Sequence, residues 1–192
     1  ILIKDAESLE TAHKINAIIF DKTGTLTMGK PEVTDIIEVK SEKLKVKSIL
    51  QLAASLEKGS EHSLADAIVK AAEEKKLALG QVVNFQAIPG YGVEGVINNQ
   101  KIIFGNRRLM EREGVAFKDQ ISEIERLEGQ GKTVMMLGAD GVLLGLIAVA
   151  DLPKESAKKG VEALQKLGVD VYMITGDNQR TAAAIASNLG IK

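Results

Sequence analysis

The period of the apolar positions changes along this chain, and the changes mark out its elements. INAIIF (15–20) is an almost unbroken apolar run and predicts a short buried strand. KVKSILQLAASLEK (45–58) and SLADAIVKAAEEKK (63–76) return apolar side chains every three or four positions and predict two helices. Two strand-like pieces follow, QVVNFQAI (81–88) and VEGVIN (93–98), and Asn98, Asn99 and Gln100 predict a hairpin turn into KIIFG (101–105). A polar helix is expected near 117–128, then strands at TVMML (133–137) and VLLGLIAVA (142–150). The chain closes as helix, strand, helix: KESAKKGVEALQKLG, VDVYMI and NQRTAAAIASNLG.

The two ends therefore predict parallel α/β units, and the middle an antiparallel sheet with helices. The simplest arrangement is a discontinuous domain carrying an insertion, with seams near Pro31 and at Ala150 to Pro153. A length of 192 residues, 45% hydrophobic and 27% charged, suits one large or two small globular domains. The net charge of −1 gives no reason to expect nucleic acid or an anionic membrane surface as a partner. Without cysteine there is no disulfide, no thiolate metal site and no cysteine nucleophile, which fits a reducing compartment. No apolar run reaches the roughly 18 residues of a membrane helix. The chain begins at Ile1 with no signal pattern, and is expected to be a piece of something longer.

The candidate chemistry lies in IIFDKTGTLTMGK (18–30). Asp21 ends a predicted strand, the place where open α/β sheets bind ligands. Lys22 adds positive charge, Thr23, Thr25 and Thr27 add hydroxyls, and Gly24 permits a tight turn with exposed amides. Such a carboxylate can attack phosphorus while its surroundings neutralise the phosphoryl charge; the plain alternative is a strand-end aspartate that caps a turn. A second strand ends in MITGDNQRTAAAIA (173–186). There the Thr175 hydroxyl, Gly176 and a helix N-terminus can hold a phosphoryl oxygen, unless Asp177 or Asn178 serves only as the helix cap. Both motifs are expected to converge on one sheet edge.

DKTGTLT resembles the phosphorylation signature of the P-type ATPases, cation pumps of the haloacid-dehalogenase-like superfamily, and TGDN resembles their second signature. The resemblance covers essentially the whole chain. It implies an α/β fold: a Rossmann-like, haloacid-dehalogenase-like phosphorylation domain in two parts (1–31 and 151–192), with an inserted α+β nucleotide-binding domain (32–150). Asp151 and Lys154 would sit in the hinge back. ATP and Mg²⁺ are the implied cofactors. Asp21 would receive the γ-phosphoryl group, with Lys22, Thr23, Thr175, Gly176 and Asp177 around it, and Asp21 and the Thr23 carbonyl would hold magnesium.

GSEHSLADAIV (59–69), IPGYGVEG (88–95) and Gly105-Asn106-Arg107 resemble the nucleotide site of the heavy-metal subclass. The implied roles are adenine recognition by Glu61 and His62, a close backbone approach at Gly90 and Gly92, and a cleft lined by Gly105, Asn106 and Arg107, with Arg107 towards the phosphates. ADLPKESA and MITGDN look more like the copper pumps than the zinc–cadmium pumps. GYGVEG matches a dinucleotide fingerprint only literally, because a strand rather than a helix is expected after it. GQGKT (129–133) imitates a phosphate loop but has Arg126 where the leading glycine belongs.

Three departures qualify this likeness. Ser63 replaces the family proline after His62; the helix is expected to survive, with modestly weaker nucleotide binding. The family's later Gly-Asp-Gly-x-Asn-Asp motif and its preceding lysine are absent, so the phosphorylation domain is expected to be truncated. No membrane helices or ion-transport site are present either, so the actuator and transmembrane domains would be partners outside this chain, and the transported ion would not bind here. The expected location is the cytoplasmic face of a membrane. Two rivals stand beside this reading: a soluble haloacid-dehalogenase-like phosphatase with a cap, and a nucleotide-binding module without catalysis. The phosphatases typically carry a second aspartate two residues after the nucleophile, where this chain has Thr23.

Overall fold

The computed structural model of the chain describes residues 5–39, 48–60 and 63–191. Its strands are β1 (Ala17–Asp21), β2 (Glu32–Glu38), β3 (Val83–Ile88), β4 (Gly92–Ile97), β5 (Gln100–Gly105), β6 (Thr133–Ala139), β7 (Val142–Ala150) and β8 (Asp170–Ile174). The helices are α1 (Ala6–His13), α2 (Ile49–Glu57), α3 (Ser63–Glu74), α4 (Arg107–Arg112), α5 (Ile121–Glu128), α6 (Glu155–Lys166) and α7 (Gln179–Leu189). Strands β2 to β7 make one antiparallel sheet in the order β2-β7-β6-β5-β4-β3, and β1 pairs with β8 in a separate parallel sheet.

Both faces of the six-stranded sheet are covered. Leu50, Leu56 and Ile68 of α2 and α3 pack with Ile102, Phe104 and Ile147 on one side. Leu109, Met110, Ile124 and Leu127 of α4 and α5 pack with Met136 and Leu146 on the other. Neighbours such as Leu146 and Ile147 thus enter opposite cores, which is why β7 can read as an unbroken apolar run although its sheet is antiparallel. The expected hairpin turn takes two residues, Asn98 and Asn99, with φ of +50° and +61°; Gln100 already belongs to β5. Helix α3 begins at Ser63 without the family proline. Residues 45–47 of the expected first helix lie outside the described residues.

Three elements have no counterpart in the sequence reading. Strand β2 is an edge strand, paired only with β7, and Glu32, Asp35 and Glu38 break its apolar alternation. Charges of this kind suit an edge, where they discourage pairing with another chain. Helix α4 is six residues long, too short to show a period, and is anchored by the buried Leu109 and Met110. Helix α1 is polar and largely exposed.

The small sheet departs from expectation in one respect. Helices α6 and α7 cover one face, packing Val161, Ile185 and Leu189 against Val171 of β8. Alternation points Ile19, Tyr172 and Ile174 the other way, and they remain 68%, 49% and 60% exposed. These strands are therefore half-covered rather than buried. The chain crosses between the sheets at two adjacent segments: Met28 N–H donates to the Leu152 carbonyl and Lys154 N–H to the Leu26 carbonyl, both at 2.9 Å. No described helix is long and apolar enough to cross a membrane.

Candidate active site

Asp21 and Ile174 are paired across the parallel sheet, so Asp21 and the turn at 175–178 leave the same edge. Asp21, Thr23, Gly24 and Thr25 are exposed, whereas Lys22, Leu26 and Thr27 are buried. Thr27 braces the loop from within: its N–H donates to the Lys22 carbonyl at 3.1 Å. Its hydroxyl lies 3.0 Å from that carbonyl, donates to Asp151 Oδ2 at 2.6 Å and accepts the Gly24 N–H at 3.3 Å. Lys154 Nζ donates to the Gly24 carbonyl at 2.5 Å. The loop that carries Asp21 is thus held by the two residues expected in the hinge. Of the three loop threonines, Thr27 spends its hydroxyl inside the loop and on Asp151.

Beneath this loop Lys22 Nζ meets Asp177 Oδ2 at 2.6 Å, with each side chain 11% exposed. The Thr175 hydroxyl lies 3.0 Å from the same oxygen, and Thr133 donates to Asp177 Oδ1 at 2.9 Å. Burial alone would push the Asp177 carboxyl up; Lys22 and the two hydroxyls outweigh it and hold the group below its ordinary value. The helix cap is Asn178, whose side chain accepts from the Arg180 and Thr181 N–H groups. Asp177 is therefore not the cap but the counter-ion of Lys22. An ammonium has three donors, so Lys22 can bind Asp177 and still face a phosphoryl oxygen.

Of the carboxylates at this edge, Asp177 is committed to Lys22, which leaves Asp21 and the Thr23 carbonyl as the ligands expected for a cation. Among the described residues no three His, Cys, Asp or Glu side chains cluster as a metal site.

In the inserted sheet, Gly90, Gly92, Gly105 and Asn106 come together. Gly92 pairs with Gly105, Asn106 N–H donates to the Tyr91 carbonyl at 2.9 Å, and Asn106 Nδ2 donates to the Gly90 carbonyl at 2.8 Å. The Asn106 oxygen caps α4 at the Leu109 N–H. Arg107 does not point free: its guanidinium meets Glu128 at 2.6 Å. Glu61 and His62 lie outside the described residues. Gly92 has φ of +146°, and a Cβ there would land on the Phe104 carbonyl oxygen. Gly90, at φ +78°, has open space around it. The close approach at Gly92 is therefore made by the chain itself, and room for a ligand remains at Gly90. Gly92→Ala is expected to cost about 3 kcal/mol or more through strand separation, and Gly90→Ala only about 1–2 kcal/mol of left-handed strain. Urea unfolding of the two variants checks this order, and equal losses would remove the argument.

The sequence reading passed over Glu57, the last residue of α2 and its one charged side chain. Glu57 is 3% exposed, and its Oε2 has no hydrogen-bond partner among the described residues. Burial raises its carboxyl above the ordinary 4.5, with a bond from Ser60 pulling the other way. A raised folded value means that the protonated form stabilises the fold below 4.5 and that this contribution is lost as pH rises through the folded value. Glu57→Gln should therefore be as stable as the parent at pH 4 and more stable at pH 7. Urea midpoints at the two pH values decide it, a less stable variant at pH 7 being the contrary result.

Residues 15–192 match the family described as haloacid dehalogenase-like hydrolase. The whole chain is similar to the copper-exporting P-type ATPase of Bacillus subtilis, with 44% identity over 191 residues that make up 24% of that protein. It is also similar to a zinc-transporting PIB-type ATPase crystallised in its E2.Pi state, with a TM-score of 0.71 and 35% identity over 100% of this chain and 30% of that one. The catalytic domain of the CPx-ATPase CopB-B, studied for its conformational changes upon nucleotide binding, gives a TM-score of 0.67 and 27% identity over 100% of this chain and 64% of that one. The chain thus spans about a quarter of the curated relative's length.

Proposed function

This chain belongs to the haloacid dehalogenase-like hydrolases, and on that footing we propose that it is the ATP-binding and phosphorylation region of a heavy-metal P-type cation pump. The observation that carries this is Asp21, an exposed carboxylate at the strand edge beside the buried Lys22–Asp177 pair. An Asp21 oxygen attacks the γ-phosphorus of ATP nearly in line. The bond to the β,γ-bridging oxygen breaks, and ADP leaves with its electrons. Lys22 and the turn at Thr175 and Gly176 take up the phosphoryl charge. Asp21 and the Thr23 carbonyl would hold a nucleotide-borne Mg²⁺, which would supply neutralisation of the phosphate charge. Water then hydrolyses the acyl phosphate, and that step drives transport in the membrane part.

The division of labour follows the two sheets. Residues 1–31 and 151–192 form the phosphorylation domain, and 32–150 bind ATP through Glu61, His62, the Gly90–Gly92 loop, Gly105, Asn106 and Arg107. The pump lies in a membrane with this region on the cytoplasmic face, joined to actuator and transmembrane domains. The 44% identity to a copper exporter favours Cu⁺ as the ion moved. The test is intact-mass spectrometry after incubation with ATP and Mg²⁺, beside an ATP titration. One hydroxylamine-labile phosphoryl group per chain is expected. Binding without an adduct would favour a non-catalytic nucleotide module, and rapid steady release of phosphate without an accumulating adduct would favour a phosphatase.

A further inference from the structure

GQGKT (129–133), only an imitation of a phosphate loop in the sequence, turns the corner from α5 into β6 and lies against the phosphorylation half. Gly131 packs on Ile185, close enough that a Cβ would come 3.2 Å from its Cγ1. The Lys132 carbonyl accepts the hydroxyl of Thr181, a fully buried side chain, at 2.8 Å. Just before the corner, the buried Glu128 carboxylate meets Arg107 of its own half at 2.6 Å. From α7 it takes Arg180 at 3.7 Å and, at its other oxygen, Asn178 at 3.2 Å. Arg180 also meets Glu125 at 2.7 Å. One short segment of the insert is thereby seated on residues 177–185.

Within that seam one side chain reaches the reaction site. Among the described residues, Thr133 is the one residue of the insert that hydrogen-bonds to the Lys22–Asp177 pair. Asp177 Oδ2 carries Lys22 and Thr175, and Oδ1 carries Thr133. A carboxylate torsion is broad and holds its angle only when both oxygens are bound. Thr133 suits the task of holding it. It is β-branched, with a restricted χ1, and its backbone is fixed in β6 opposite Val149. We infer that Thr133 is a positioning residue for phosphoryl transfer, its hydroxyl setting Asp177, and through it Lys22, in register with the inserted sheet. This rests on the reading of Asp21 as phosphoryl acceptor. The Glu128 contacts, the Arg180–Glu125 pair and the Thr181–Lys132 bond anchor the same segment beside it, so the insert does not pivot about the Thr133 bond.

Thr133→Val keeps shape and removes the hydroxyl; Thr133→Ser keeps the hydroxyl. Valine should slow phosphoenzyme formation at saturating ATP roughly tenfold while ATP affinity stays within about twofold, and serine should restore most of the rate. In backbone NMR the amide signals of Thr175, Gly176 and Asp177 should move in the valine variant and return in the serine variant. A merely structural threonine would lower the unfolding midpoint without separating rate from affinity. A valine variant as fast as the parent, or a serine variant as slow as valine, overturns the inference. If the parent forms no phosphoenzyme, the proposed function fails for this chain. The amide signals then decide the positioning role alone, and unmoved signals overturn it.

Discussion

Asp21→Asn is expected to abolish phosphoenzyme formation, lowering its rate by at least about a thousandfold, while ATP still binds with an affinity within about twofold of the parent. The separation follows from where the residue sits. Asp21 is exposed at the end of β1 and forms no ion pair among the described residues, so the isosteric amide removes no buried partner and should change stability by no more than about 0.5 kcal/mol. Gly92 and Gly105, proposed above for the nucleotide, belong to the other sheet and are untouched. What disappears is the anionic oxygen that attacks phosphorus, and a neutral amide cannot replace it. Intact mass after incubation with ATP and Mg²⁺ reads the result. An adduct of equal yield in the asparagine variant would place the phosphoryl group elsewhere and remove Asp21 from its role. Lost ATP binding would instead show the two sheets to be coupled more tightly than their separate cores suggest.

What the sequence disclosed was local chemistry. An apolar run broken by Asp21, and another broken by Thr175-Gly176-Asp177, mark two strand ends without any knowledge of neighbours, and parallel pairing then brings them to one edge. Helices α2 and α3 and the Asn98–Asn99 turn were legible for the same reason, since periodicity and turn chemistry act over a few residues. Contacts made across the chain were not legible. Thr27 and Asp151 are 124 positions apart, and Thr133 and Asp177 are 44 apart. Nothing in the local pattern of either residue names its partner; the topology does. The run INAIIF also overstated its burial, because a strand with one open face keeps its apolar alternation hidden when the open positions hold residues such as Ile19. Arg107 was read as lining the nucleotide cleft towards the phosphates, and its ion pair with Glu128, 21 positions on, is legible only in the fold.

Asp177→Ala should be among the most destabilising single changes outside the cores, costing about 3 kcal/mol. The Lys22 side chain is 11% exposed and pairs with no other carboxylate among the described residues. Removing Asp177 leaves a largely buried ammonium without its counter-ion, with the Thr133 and Thr175 hydroxyls losing their acceptor as well. The loss should also have a pH signature. The Asp177 carboxyl lies below its ordinary 3.8 in the fold, so its ionised form stabilises the protein above that value and the contribution is lost as pH falls through the lower folded value. Parent and alanine variant should therefore differ fully near neutrality and converge on the acid side of 3.8. Asp177→Asn, which keeps hydrogen bonds without the charge, should fall between them at neutral pH. Urea midpoints from pH 2.5 to 7 measure all three. A gap between parent and alanine that stays constant down to pH 2.5 would mean that the residue contributes through packing, not through the ion pair. In that case Lys22 would have no fixed counter-ion to hold it beneath the Asp21 loop, and the phosphoryl group would have to find its positive partner elsewhere.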